Sequence, residues 1–183
     1  MLKAVDLNRS ESKQRSAITC IEPYPRPEFR TIDSINHIEA MCQAVPWEVF
    51  EQLETGDLLF IDSSHTLKTG SDVARIYLDV LPSLNPGVVV HIHDVFLPYL
   101  YSRSALQEWF GWQETSLLLA LLTGNDNLGV LSCLSALHYD RSPDLKSILR
   151  DYEPQQNDAG LSTGVDPEAH FPSSMWLRTV SPP

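Results

Sequence analysis

The 183 residues carry 24 acidic against 13 basic side chains, a net charge of −11, with 43% hydrophobic and 20% charged residues. A field of that sign argues against non-specific binding to nucleic acid or an anionic membrane, because both need an excess of positive charge. The proportions are those of a soluble globular chain, read as a single α/β domain over residues 1–183.

Three widely spaced cysteines, Cys20, Cys42 and Cys133, make neither a disulfide framework nor a zinc pattern, and free thiols are expected. The longest apolar run, Leu117–Leu122, is far too short to span a bilayer, and Met1–Asp6 has no secretory character. A cytoplasmic location is expected.

In chain order, residues 1–15 read as a helix and polar loop, and Ser16–Ile21 as a strand closed by Glu22-Pro-Tyr-Pro25. Pro27 suits the first position of a short helix reaching about Ile35. His37–Met41 is a further strand candidate. Pro46–Leu53 is a short helix with Val49, Phe50 and Leu53 on one side.

Asp57–His65 and Val88–Phe96 follow, each a short apolar run that ends abruptly in ionisable side chains. One amphipathic helix lies between them, so the unit reads β-α-β with parallel neighbouring strands. The continuous apolar pattern predicts strands covered on both faces. In such sheets ligands bind at the carboxyl ends of the strands, where Asp62, His65, His93 and Asp94 are expected to converge. Within the helix, Thr69 and Asp72 form a candidate capping box, and Val73, Ile76, Tyr77, Val80 and Leu81 make the buried stripe. Pro82 and Asn85-Pro-Gly87 stop it.

Beyond Phe96 an aromatic loop runs to Tyr101, with helices over Ser104–Trp109 and Gln113–Leu122, the latter ended by Gly124-Asn125. Leu128–Leu134 and Met175–Val180 are strands, expected as an antiparallel pair at one edge of an otherwise mostly parallel sheet. Residues 153–173, rich in Pro, Asp, Gly and Ser, read as a long exposed connection.

Doubly wound nucleotide-binding folds place a glycine-rich turn after their first strand and a carboxylate after their second, where it takes ribose hydroxyls. Glu22 sits where that carboxylate belongs, yet no glycine precedes Gly56. Strand one and its glycine turn are therefore expected to be missing, with residues 1–15 the remnant of the first helix and loop.

Several phrases together carry a family resemblance. They are Cys20-Ile-Glu22-Pro-Tyr-Pro25, Leu58-Leu-Phe-Ile-Asp62-Ser-Ser-His65, Lys68-Thr-Gly-Ser-Asp72, Leu84-Asn-Pro-Gly87, His91-Ile-His93-Asp94-Val-Phe96 and Met175-Trp-Leu-Arg178. With them the chain resembles the S-adenosylmethionine-dependent methyltransferases of Rossmann-like fold, in the bacterial branch near cephalosporin-hydroxylase-like and catechol O-methyltransferase-like proteins. The resemblance implies a seven-stranded sheet of which this chain supplies strands two to seven, and an N-terminally truncated O-methyltransferase of a small-molecule acceptor. A homo-oligomer, or a related chain that supplies the missing strand, is an expected partner.

By the same resemblance, Glu22 and Asp62 bind the cofactor S-adenosylmethionine, Glu22 through the ribose hydroxyls. Asp62, His93 and Asp94 match the divalent-metal positions of the metal-dependent relatives. His93 departs from their oxygen ligands and would favour a softer metal than magnesium. His65 matches the basic residue that accepts the substrate hydroxyl proton, a role suited to imidazole. Trp109, Trp112, Phe96, Tyr99 and Tyr101 either line an acceptor pocket or cover the sheet edge. Two alternatives stand beside this reading: a non-catalytic remnant of the same fold, and a metal-dependent enzyme using Asp62, His65, His93 and Asp94 without a methyl donor. A serine hydrolase built on Ser63 or Ser64 is disfavoured, since no glycine-flanked nucleophile elbow surrounds them.

Overall fold

A computed structural model describes residues 2–12, 16–101, 111–149, 151–152, 154–157, 160–163 and 173–181. The expected helix over 104–109 lies outside the described residues. The chain divides into two compact units, Met1–Val45 and Pro46–Pro183.

In the first unit, helix α1 (Leu2–Ser12) precedes strand β1 (Ile18–Ile21), the one-turn helix α2 (Pro27–Arg30) and strand β2 (Ile35–Ile38). β1 and β2 pair in parallel, from Ile18 opposite Ile35 to Ile21 opposite Ile38. Pro27 does open α2, but the helix stops at Arg30 rather than near Ile35. The following Thr31, Ile32 and Ile35 are β-branched and favour extended backbone, so the next strand begins earlier than His37. Arg30 then forks across both carboxylate oxygens of Glu39, each at 2.9 Å. A short 3-10 turn at Cys42–Ala44 closes the unit.

The second unit opens with α3 (Trp47–Glu51) and strand β3 (Leu58–Ile61). The predicted helix follows as α4 (Asp72–Arg75), a π-helical segment (Ile76–Val80) and α5 (Leu81–Ser83), and delivers the chain to β4 (Val89–His93). Pro82 lacks the N–H that would continue the ladder, and the helix ends one residue later. Next come α6 (Glu114–Leu122), β5 (Leu128–Cys133), α7 (Leu134–Asp140) and α8 (Ser142–Ile148). The stretch read as an exposed connection contains β6 (Pro154–Asn157) and β7 (Gly160–Thr163), which pair antiparallel, and β8 (Ser174–Thr179) ends the fold.

The four-stranded sheet has the order β3-β4-β8-β5. β3 and β4 are parallel neighbours, Leu58 opposite Val89 through Ile61 opposite Ile92. β8 runs antiparallel to both β4 and β5. Three strands therefore share one direction and β8 opposes them, a mixed α/β sheet. β8 and β5 do form an antiparallel pair, with β8 inside the sheet and β5 at its edge.

Burial alternates along β4, against the expectation of strands covered on both faces. Val90, Ile92 and Leu177 are fully buried on one face, as are Val73, Tyr77, Val80 and Leu118 from the helices. On the other face His91 and Trp176 are half-buried, and their rings stack with centroids 4.1 Å apart. Polar imidazoles at alternate positions make this second face a half-wet one. Burial and the neighbouring His93 charge push the His91 imidazole below its ordinary pKa.

Gly87 joins the sheet to its turns. Its φ of +88° lies in the left-handed region, its N–H donates to the Thr179 carbonyl, and its own carbonyl accepts the Gly56 N–H. Cys20, Cys42 and Cys133 are not joined in disulfides and are partly buried. Among the described residues no helix is long and apolar enough to cross a membrane.

Candidate active site at the carboxyl ends of β3 and β4

Each parallel strand gives way to an acidic residue and a left-handed turn. After β3 comes Asp62, with the reversal at His65 (φ +56°); after β4 the reversal is at Asp94 itself (φ +55°). Asp and His are among the non-glycine residues that tolerate this region best, which is a local reason for these side chains at these turns.

The first loop is fastened by the helix that follows it. Ser71 is the N-cap of α4, its hydroxyl accepting the Ala74 N–H at 3.1 Å, so the cap is Ser71 and not the expected Thr69. Asp72 is thereby free of the capping role and reaches back to Ser64, accepting its N–H at 2.7 Å and its hydroxyl at 2.6 Å.

The four residues expected to converge do so. His65 Nε2 lies 4.0 Å from Asp62 Oδ1 and 3.9 Å from Asp94 Oδ2. His93 Nδ1 lies 3.3 Å from Asp94 Oδ2 and 3.7 Å from Asp62 Oδ1. Asp94 also accepts a hydrogen bond from the Ser173 hydroxyl at 2.8 Å. The His65 side chain is only 14% exposed, whereas that of Asp62 is 56% exposed. The crevice thus has a sheltered imidazole and a wet carboxylate.

A fifth residue, not singled out from the sequence, completes the site. Glu114 opens α6 and is 1% exposed. Its Oε2 lies 2.6 Å from His65 Nδ1, and its Oε1 accepts from the hydroxyls of Ser63 and Tyr77, both at 2.9 Å. A glutamate in the first turn of a helix ordinarily reads as a charge favoured by the helix dipole, which hides such a role. Burial drags the His65 imidazolium pKa down, but the Glu114 hydrogen bond and the charges of Glu114, Asp94 and Asp62 outweigh it, and the net shift is upward. For Tyr77, burial first and then the Glu114 charge hold the phenol pKa well above its ordinary value, so its hydroxyl remains a donor.

The aromatic residues divide. Trp112 stacks on His65 with centroids 4.4 Å apart and planes 1° from parallel, and Phe96 is tilted against Trp112 at 6.4 Å. Tyr101 instead accepts the Ser116 N–H at 3.1 Å at the start of α6, and Tyr99 meets Tyr139 edge-on at 5.0 Å. Trp109 lies outside the described residues.

The side chains expected as metal ligands, Asp62, His93 and Asp94, are adjacent. Yet among the described residues no group of three or more His, Cys, Asp or Glu is arranged to hold a metal ion. Asp94 divides its oxygens between Ser173 and the imidazoles, and no step below is routed through a metal. Glu22 lies in the first unit just after β1, exposed, with Oε1 accepting the Tyr24 N–H at 2.8 Å.

A mixed sheet whose parallel strands end in a carboxylate–imidazole crevice belongs to the ligand-binding α/β class. The sequence model described as a methyltransferase domain matches residues 1–95, just over half of the 183, and the chain belongs to that family. No curated protein and no solved structure matches the chain.

Proposed function

We propose that this methyltransferase domain transfers a methyl group from S-adenosylmethionine to a hydroxyl of a small-molecule acceptor, with His65 as the base. The observation that carries the reading is the placement of a sheltered imidazole, its Nε2 about equidistant from two carboxylates, at the ends of the parallel strands of a methyltransferase-family chain.

When bound, S-adenosylmethionine supplies an electrophilic methyl group on a sulfonium sulfur that leaves with the C–S bonding pair. The donor set is compatible with such a ligand: Asp62 and Asp94 put negative charge where a cation would be favoured, and Asp62 is open to solvent. For the first unit, the family resemblance gives Glu22 the ribose hydroxyls, which a carboxylate accepts as charge-assisted bonds.

His65 Nε2 would accept the acceptor's hydroxyl proton as its oxygen bonds to the methyl carbon. The imidazolium so formed sits among Asp62, Asp94 and Glu114, whose charges lower the cost of holding the proton. Trp112 keeps solvent from one face of the ring. Beyond proton transfer, the protein's contribution is alignment of the oxygen with the methyl group.

The test is release of S-adenosylhomocysteine from S-adenosylmethionine in the presence of phenolic, sugar and aliphatic hydroxyl acceptors, with native protein and His65→Ala. Acceptor-dependent release that falls about 10²-fold or more in the variant supports the reading. Release unaffected by the variant removes His65 from the mechanism, and no release with any acceptor leaves the non-catalytic alternative.

A further inference from the structure

Trp112, Gln113 and Glu114 are consecutive, and each grips the His65 turn in a different way. Trp112 lies flat on the imidazole. The Gln113 N–H donates to the His65 carbonyl at 3.0 Å, and its side-chain Oε1 accepts the Leu67 N–H at 2.9 Å. Glu114 meets His65 Nδ1 at 2.6 Å.

The hydrogen bonds around Glu114 run in one direction. Ser63 Oγ accepts the His65 backbone N–H at 3.0 Å, which turns its single proton toward Glu114 Oε1. The Tyr77 hydroxyl donates to the same oxygen from within the π-helical segment Ile76–Val80, a widened turn of the kind found at functional sites. With Oε1 filled by two donors, Oε2 is left to accept from Nδ1. A neutral imidazole has one N–H, so its other nitrogen, Nε2, keeps the lone pair and faces Asp62 and Asp94. A carboxylate 1% exposed is costly to bury, and an apolar residue would pack there without that cost.

We propose that Trp112, Gln113 and Glu114 form a positioning clamp in which Glu114, itself held by Tyr77 and Ser63, fixes His65 as the Nδ1–H tautomer with Nε2 free to accept a proton. The clamp's role in catalysis rests on His65 being the base; the tautomer does not. Glu114 is a positioning residue acting through His65, not a group that touches the substrate.

The experiment is 15N NMR of the imidazoles in protein labelled at histidine, above the pH at which His65 titrates, with His65→Ala assigning the signals. The native protein should give a protonated Nδ1 and an unprotonated Nε2 for His65. Glu114→Gln places an amide against Nδ1 whose NH2 can donate, and should move the proton to Nε2, with kcat falling about 10²-fold or more and KM little changed. Tyr77→Phe, which leaves the Oε2–Nδ1 contact in place, should retain the native tautomer. An Nε2–H signal in the native protein overturns the clamp, as does a Glu114→Gln tautomer identical to the native one. If Glu114→Gln fails to fold, the native and Tyr77→Phe spectra still decide. The native tautomer together with absent methyl transfer leaves the clamp standing and removes the reaction assigned to it.

Discussion

His65 and Asp94 share a backbone conformation: each sits in the left-handed region, at φ +56° and +55°, at the end of adjacent parallel strands, with His65 Nε2 3.9 Å from Asp94 Oδ2. Left-handed backbone costs a typical L-residue about 1–2 kcal/mol. Both strand ends thus hold an uncommon conformation where their side chains meet, a combination often found at functional sites.

Asp94 separates the backbone requirement from the charge. Asparagine tolerates left-handed backbone and can still accept from Ser173, so Asp94→Asn should cost less than about 1 kcal/mol of stability while weakening methyl transfer. Asp94→Val should lose activity and also about 2 kcal/mol or more, because a β-branched residue is a genuine outlier there. Denaturant unfolding of the two variants, alongside turnover, distinguishes these effects.

The raised pKa of His65 predicts opposite pH trends for activity and stability. A base must be neutral, so kcat/KM should rise with pH to a plateau whose midpoint lies above the usual imidazole value of about 6.5. The interactions that raise the folded-state pKa add stability that is fully present below the unfolded-state value and is lost as pH rises through the folded one. As pH rises from the usual imidazole value of about 6.5 through the raised folded-state value, His65 should therefore make the fold less stable. Unfolding curves at both ends of that range, repeated on His65→Ala, should show this slope flattened in the variant.

Gly87 is predicted to be intolerant of any side chain. Its φ is +88°, and a Cβ there would lie 2.6 Å from both Cγ2 and Oγ1 of Thr55, whose hydroxyl donates to the Pro86 carbonyl at 2.8 Å. Gly87→Ala should cost about 2 kcal/mol or more, combining left-handed strain with displacement of Thr55. In Gly87→Ala/Thr55→Ser the methyl clash is relieved, and part of that loss should return in thermal unfolding.

Core packing gives a fourth expectation. Leu177 is fully buried on β8, which pairs with both β4 and β5. Leu177→Ala should destabilise by about 2–5 kcal/mol, since a buried strand flanked on both sides cannot collapse to fill the void. Leu119→Ala, at an exposed position of α6, should change stability by less than about 0.5 kcal/mol in the same measurement.

The β3–helix–β4 unit and its four converging side chains were legible because apolar runs of strand length ended in ionisable residues, and sheet geometry brings such ends together. Glu114 was not legible. Its partner His65 lies 49 residues away, and nothing local in a helix-opening glutamate betrays contact with a distant turn. The Thr69 capping box failed for a related reason: Asp72 found a better partner in Ser64, a contact no helix-local rule contains. No element is expected above for residues 135–152, where α7 and α8 form with His138 and Leu145 buried within them, although Ser142-Pro143 and the spacing of Leu145, Ile148 and Leu149 carry a helix signal. The π segment was hidden as well, because Val73, Tyr77 and Val80 fit an ordinary helical stripe equally well.

Calorimetric titration with S-adenosylhomocysteine tests the central claim most directly. The account predicts saturable binding with one ligand per chain, weakened about tenfold or more by Asp62→Ala and retained in His65→Ala, whose role is in proton transfer. Absence of any binding heat over a range of temperatures, with the protein shown to be folded, would contradict it.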